Sequence, residues 1–309
     1  MIRYFMAFEG VYSIIPTAFT DSGDLDPASQ RKVVDLFIDK GANGLTALGV
    51  TGEVARLEEH ERATVLEIVV TQAAGRVPII AGTSAEGTRT CITYTRQAKA
   101  LGASAVMVSP PRLPKLNSTA VVNHYKALAD AVDLPIIVQD YPPIAGFAME
   151  PALLARIAKE VPTARTIKLE DPPTPFKTAR ILDASAGTTV QIFGGLGGVF
   201  LLEELMSGAT GAMTGFAFPE ILARIMKHWN AGERDAAADV FYRAVPLMRF
   251  EFQEGIGMAI RKEVLKRRGA LASAATRAPA GALDVQTKQA LDRVLTWVTT
   301  QKGMEWISV

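Results

Sequence analysis

The sequence predicts a (β/α)8 TIM barrel followed by a C-terminal helical appendage, and three observations predict it. Eight short apolar runs, at residues 11–19, 44–49, 77–84, 105–110, 134–141, 166–170, 189–194 and 211–215, start about every 20 to 35 residues. That interval is the length of one strand, one helix and two short loops. Most of the runs are near-continuously apolar, as expected of strands covered on both faces. The stretches between them carry helical periodicity, and eight β-then-α units in a row favour a closed barrel over a doubly wound sheet. The barrel is expected over residues 1–231 and a helical region over 232–309.

The elements justify themselves in order. Asp26-Pro27 is an N-cap followed by proline at the first helical position, and Val33, Val34, Phe37 and Ile38 then share one face. Leu66, Val69, Val70 and Ala73 repeat the same spacing. Glu150-Pro151 opens another helix with Leu153, Leu154, Ile157 and Ala158 inward, and Ile221, Leu222, Ile225, Met226 and Trp229 form a stripe. Gly41, Gly75, Gly102 and Gly208 follow helices as C′ residues. After Trp229 the strand pattern stops, and residues 234–252, 258–268 and 284–300 read as three helices, with the Ala- and Pro-rich segment 270–282 before the last.

Composition excludes several function classes. An apolar content of 49% with a net charge of +1 excludes intrinsic disorder and gives no basic excess for a nucleic-acid partner. No run of 18 uninterrupted apolar residues occurs, so no membrane span is expected. The start, residues 1–10, shows no leader pattern. The lone Cys91 cannot form an internal disulfide, which fits a reducing cytoplasm. His60, His124 and His228 stand in no metal-ligand spacing, so no metal site is expected.

Barrel active sites gather at the C-terminal ends of the strands. Lys168 lies inside the sixth strand, between Ile167 and Leu169. A lysine desolvated there would be a nucleophile toward a ketone; the alternative is a lysine that snorkels or pairs with Glu170 on the same face. Tyr141 ends the fifth strand, either as a proton carrier or as a barrel-mouth aromatic. The turn Gly49-Val50-Thr51-Gly52-Glu53 follows the second strand and offers N–H groups and the Thr51 hydroxyl to a carboxylate. The glycine loop 194–198 follows the seventh strand, where many barrels bind phosphate, and serves either close ligand approach or only a tight turn. It holds no basic residue, which counts against a phosphosugar barrel.

GVTGE after the second strand, Tyr141 after the fifth, and Lys168 27 residues later together resemble the dihydrodipicolinate synthase/N-acetylneuraminate lyase family. The resemblance covers nearly the whole chain. It implies a barrel assembled as a homotetramer, a dimer of dimers, in which Lys168 forms an imine with pyruvate or another 2-oxo acid. Tyr141 would move protons, the GVTGE turn through Val50, Thr51 and Gly52 would grip the carboxylate, and the Met213 carbonyl would face the carbinolamine. Glu170, Arg112 and Gly194 are further substrate-binding candidates. No organic cofactor or metal is implied, because the protonated imine is the electron sink.

Three departures qualify the resemblance. Val50 stands where the family carries a hydroxyl that links the tyrosine to a proton relay, Arg112 stands at the relay's next tyrosine, and Gly146 stands where synthases place an arginine for the aldehyde's carboxylate. Runs 136–140 and 208–215 are also similar to 2-keto-3-deoxy sugar acid dehydratases of the same superfamily. The expected function is therefore a class I, Schiff-base-forming lyase or aldolase. The alternatives are a dehydratase of that superfamily and a non-catalytic barrel that binds a 2-oxo acid.

Overall fold

The computed structural model describes residues 8–309. The leaderless reading of residues 1–10 falls largely on 1–7, which lie outside the described residues. The eight apolar runs form β1 (Gly10–Ile14), β2 (Gly44–Ala47), β3 (Ile79–Gly82), β4 (Ala105–Val108), β5 (Ile136–Asp140), β6 (Thr166–Leu169), β7 (Gln191–Gly194) and β8 (Gly211–Thr214). All pair in parallel with their sequence neighbours, and β8 closes on β1, so the sheet is a barrel. All the strands but β7 end before their apolar runs do, where the chain turns away at the top. After β1 the run reaches Pro16, which has no N–H for a ladder, and Phe19 instead bridges Leu25.

Helices alternate with the strands: α1 (Pro27–Asp39), α2 (Glu59–Ala73), α3 (Thr88–Ala100), α4 (Ser118–Ala131), the short α5 (Pro142–Ala145), α6 (Pro151–Glu160), α7 (Thr174–Ala184), α8 (Leu201–Met206) and α9 (Pro219–Asn230). Asp26 caps α1 by accepting the Ser29 N–H at 3.0 Å. The C-terminal region adds α10 (Arg234–Glu251), α11 (Gly257–Arg267) and α12 (Val285–Thr299), close to the three helices expected there. Among the described residues no helix is long and apolar enough to cross a membrane.

Period-two alternation divides the strand residues between two cores. Ile136, Val138, Ile167 and Leu169 point outward into the layer shared with the helices. Tyr12, Ile14, Ile80, Ala105, Met107, Ile137, Phe193 and Met213 fill the barrel interior. Space there is tight: a Cβ on Gly44 would lie 2.2 Å from the Tyr12 ring. Alternation also sends Gln139 and Lys168 inward, paired in register across β5 and β6, while Asp140 goes outward.

The C-terminal region folds back over the barrel mouth. Phe252, just after α10, lies 3.0 Å from where a Cβ on Gly197 would stand, above β7. The Glu251 carboxylate accepts the Ala217 N–H at 3.0 Å, above β8. Lys262 of α11 reaches Glu53, above β2, with a 2.5 Å ion pair. The end of α10 is thus held above β7 and β8, and α11 above β2.

Candidate active site

Lys168 is 2% exposed although it is charged in water. Its ammonium lies 2.6 Å from the Glu170 carboxylate. Glu170 also accepts from the Gln139 amide at 2.8 Å, and Gln139 accepts from the Ser109 hydroxyl at 2.9 Å. This chain of polar side chains runs across the C-terminal ends of β4, β5 and β6. Burial pushes the Lys168 pKa down, opposed by the Glu170 charge. A larger neutral fraction near pH 7 makes the amine a better nucleophile, and Glu170 is within reach of the proton it sheds.

A second buried lysine provides the contrast. Lys177 of α7 sits outside the barrel and is held by Asp140 and Asp171, each at 2.6 Å. Burial raises Asp140 to about 6. With two carboxylates around it, Lys177 is committed to the strand–helix interface.

Tyr141 follows β5 and opens α5, whose two prolines fix its first turn. Its phenol is partly buried, and burial followed by the Glu170 and Glu254 charges raises its pKa. Gly146 ends α5 in the left-handed region at φ +64°. A Cβ there would lie 3.7 Å from Nε of Arg112, so the exposed Arg112 side chain runs beside the position from which a synthase's arginine would start.

The GVTGE segment is a tight 3-10 turn, Val50–Gly52, followed by Glu53 at φ 56°. The N–H groups of Gly52 and Glu53 close the turn onto the carbonyls of Gly49 and Val50, so those two donors are spent internally. Thr17 donates to the Gly52 carbonyl at 2.6 Å and fixes the turn from β1's side. The Thr51 hydroxyl is buried with no partner among the described residues. Gly215 leaves it room, since a Cβ there would stand 2.9 Å from the Thr51 oxygen. Val50 is 38% exposed beside it.

The glycine loop separates into packing roles. Gly194 faces outward, where a Cβ would collide with the Glu204 carboxylate. Its neighbour Gly195 is the one turned toward the polar cluster, 2.3 Å from Glu170 Cγ by the same construction, and Gly197 lies under Phe252. Met213 is fully buried in the interior core.

Sequence reasoning missed the contribution of the C-terminal helices. Arg261 of α11 is 7% exposed, and it exchanges electrostatic influence with Lys168, Glu170 and Tyr141. Glu251, whose carboxylate oxygen lies 3.8 Å from the Arg261 guanidinium, is raised to about 7 by burial. The available signal was weak: a basic pair, Arg261-Lys262, directly after Ile260 in a helix that must be buried on that side.

Known proteins resemble the chain along most of its length. The model of the dihydrodipicolinate synthetase family matches residues 7–298. The chain is 33% identical over 288 residues to an L-2-keto-3-deoxyarabonate dehydratase of Azospirillum brasilense, covering 91% of this chain and 92% of the relative. It is 32% identical over 233 residues to a 4-hydroxy-tetrahydrodipicolinate synthase of Pelobacter propionicus, covering 74% and 78%. The crystal structure of a dihydrodipicolinate synthase from Rhodopseudomonas palustris superposes with a TM-score of 0.88 at 33% identity, covering 94% of this chain and 97% of that one. The chain belongs to the dihydrodipicolinate synthetase family and is a lyase of that family.

Proposed function

We propose that this lyase works through a Schiff base between Lys168 and a 2-oxo acid, and that its reaction is loss of water from a 3-deoxy-2-oxo sugar acid. The observation that carries the reading is the buried Lys168 ammonium 2.6 Å from Glu170. The Lys168 ammonium gives one proton to Glu170, the neutral amine attacks the C2 carbonyl, and that proton returns as water leaves, giving a protonated imine. The imine draws electrons from the C3–H bond, the proton goes to a base, and the resulting enamine expels the C4 hydroxyl, which takes up a proton as water. Hydrolysis then frees Lys168 and the product. Tyr141 carries protons at the imine. Thr51, between Val50 and Gly52, donates to the C1 carboxylate, and the Met213 carbonyl faces the carbinolamine. Glu170 and Arg112 discriminate among substrates.

Dehydration is preferred over aldol addition for two reasons. The relay hydroxyl, the relay's next tyrosine and the aldehyde-binding arginine of the synthases are replaced here by Val50, Arg112 and Gly146, and a relative matched along nine-tenths of this chain is named as a dehydratase. Pyruvate remains the simplest imine-forming probe. A cytoplasmic homotetramer is the assembly we propose, on the family resemblance, with sedimentation as its check. Incubation with pyruvate and borohydride should add a reduced pyruvyl group to the peptide carrying Lys168, and a panel of 3-deoxy-2-oxo acids should contain a substrate that turns over. No adduct with any 2-oxo acid, or an adduct on Lys177, would sink the reading. An adduct without turnover on any substrate would leave a binding barrel.

A further inference from the structure

We propose that Arg261 of α11 contacts substrate and selects 2-oxo acids that carry hydroxyl groups beyond the reacting carbons. The inference rests on the Schiff-base reading of Lys168. A guanidinium offers five N–H donors and no acceptor. In this protein Arg261 is 7% exposed, its Nε is buried with no hydrogen-bond partner among the described residues, and the Glu251 carboxylate stands 3.8 Å away, beyond hydrogen-bond reach. Folded proteins rarely leave a buried donor set unmet unless a ligand or ordered water completes it.

The position of Arg261 is fixed by its neighbours. Lys262 is pinned to Glu53 above β2, Glu251 to the Ala217 N–H above β8, and Phe252 over Gly197 above β7. Arg261 therefore lies beside the Glu251 carboxylate above β8, one residue before the anchored Lys262. Glu251, its nearest charged neighbour, precedes Phe252, which packs on Gly197 of the loop whose Gly195 lies against Glu170, and the Arg261 charge acts on Lys168 and Tyr141.

The surroundings choose the ligand chemistry. Glu170 and Glu251 accept hydrogen bonds and Arg261 donates them, so a hydroxyl, which both donates and accepts, finds partners of both kinds. A second carboxylate would meet Arg261 but face both acids. The guanidinium that Gly146 does not supply from α5 thus comes from the C-terminal region, aimed at a substrate tail of different chemistry.

The test compares wild type, Arg261→Met and Arg261→Lys by the concentration that half-saturates borohydride adduct formation. The probes are pyruvate, a 3-deoxy-2-oxo pentonate and 2-oxoglutarate. The preference for the pentonate over pyruvate should fall roughly tenfold or more in Arg261→Met, the effect of one lost charge-assisted hydrogen bond, and less in Arg261→Lys. Melting curves establish that each variant is folded, and the lysine variant carries the comparison if the methionine variant is not. A preference within twofold of wild type, or equal losses for pyruvate and pentonate, would overturn the proposal. A selective loss for 2-oxoglutarate alone would overturn the hydroxyl assignment in favour of a carboxylate. If wild type forms no adduct with pyruvate, the Schiff-base reading fails instead. The same preference, read by titration calorimetry without borohydride, then decides Arg261 on its own.

Discussion

The Lys262 ammonium lies 2.5 Å from the Glu53 carboxylate, and neither side chain has exposed surface. The contact joins α11 to the residue that follows the turn carrying the Thr51 hydroxyl. Lys262 directs its hydrogen bond to the Ala275 carbonyl at 2.8 Å and lies 4.3 Å from the Phe19 ring centre, while Arg56 and the Arg277 N–H each reach the other Glu53 oxygen at 3.0 Å. Breaking a buried pair by removing one partner typically costs about 3–5 kcal/mol. The remaining partners of Glu53 put Lys262→Met near the lower bound, at about 3 kcal/mol. Adding Glu53→Gln should recover part of that loss, because the uncompensated charge disappears. Urea denaturation of the two variants checks both statements; a loss under ~1 kcal/mol for Lys262→Met would show the pair to be dispensable.

Glu204 makes stability depend on pH. Its side chain is enclosed between Thr174, which donates to it at 2.6 Å, and Gly194, whose missing Cβ makes the space. Burial raises its pKa from 4.5 to about 7. A carboxyl whose folded pKa is raised binds its proton more tightly in the folded state. Stability is therefore greatest below the unfolded value and declines as pH rises through the folded one. The full shift amounts to roughly 3 kcal/mol at most between pH 5 and pH 8.5. Glu204→Gln keeps the acceptor for Thr174 and removes the titration. Urea unfolding at both pH values should show wild type losing more stability than the variant. Glu251 and Asp140, raised to about 7 and about 6 by burial, are common to both proteins and cancel in the difference. Equal losses would mean that Glu204 finds a compensating cation or water when it ionises.

What was legible in the sequence follows from local physics. Strands covered on both faces must be apolar along their length, so eight runs stood out, and Lys168 stood out as a charge inside one of them. Lys168 and Glu170 sit two residues apart in the sixth apolar run, so their pairing was legible too. Arg261 and Lys262 were not, because adjacent basic residues on a helix ordinarily mark a solvated face. Glu53, the partner of Lys262, lies above β2 and far away in sequence, and Arg261 faces Glu251 of the preceding helix. The glycine loop was legible as a turn but not as a packing device. Only the positions of Glu204, Glu170 and Phe252 reveal which way each glycine faces.

Turnover as a dihydrodipicolinate synthase should be poor. Gly146 leaves the aldehyde's carboxylate without a bidentate partner, and losing a charge-assisted hydrogen bond weakens recognition roughly ten- to a hundredfold. Val50 removes the hydroxyl of the relay, and acid–base catalysis contributes about 10²–10⁴-fold. A coupled assay with pyruvate and aspartate semialdehyde, run beside an ordinary synthase, should read at least ~100-fold lower. Activity within tenfold of that synthase would reverse the conclusion and assign the missing arginine's task to Arg112, which runs beside Gly146.

Tyr141→Phe should separate proton transfer from imine formation. The Tyr141 hydroxyl makes no hydrogen bond within the described residues, so removing it forfeits no internal contact, and stability should change by under ~1 kcal/mol. The trapped adduct on Lys168 should persist, because attack on the carbonyl needs the amine and not the phenol. Turnover should collapse by about 10²-fold or more if the phenol carries protons at the imine. The loss should appear in kcat and kcat/KM together, as for a contact made in the transition state. With valine at position 50 the phenol has no neighbouring hydroxyl there to pass a proton to, so its partner must be water or the substrate's own oxygens. A slower substrate whose hydroxyl stereochemistry faces away from Tyr141 should therefore lose less on mutation than the best substrate. Equal turnover of wild type and Tyr141→Phe on the best 3-deoxy-2-oxo acid would reduce the tyrosine to a barrel-mouth aromatic. It would leave Glu170, 2.6 Å from the lysine, as the acid–base group.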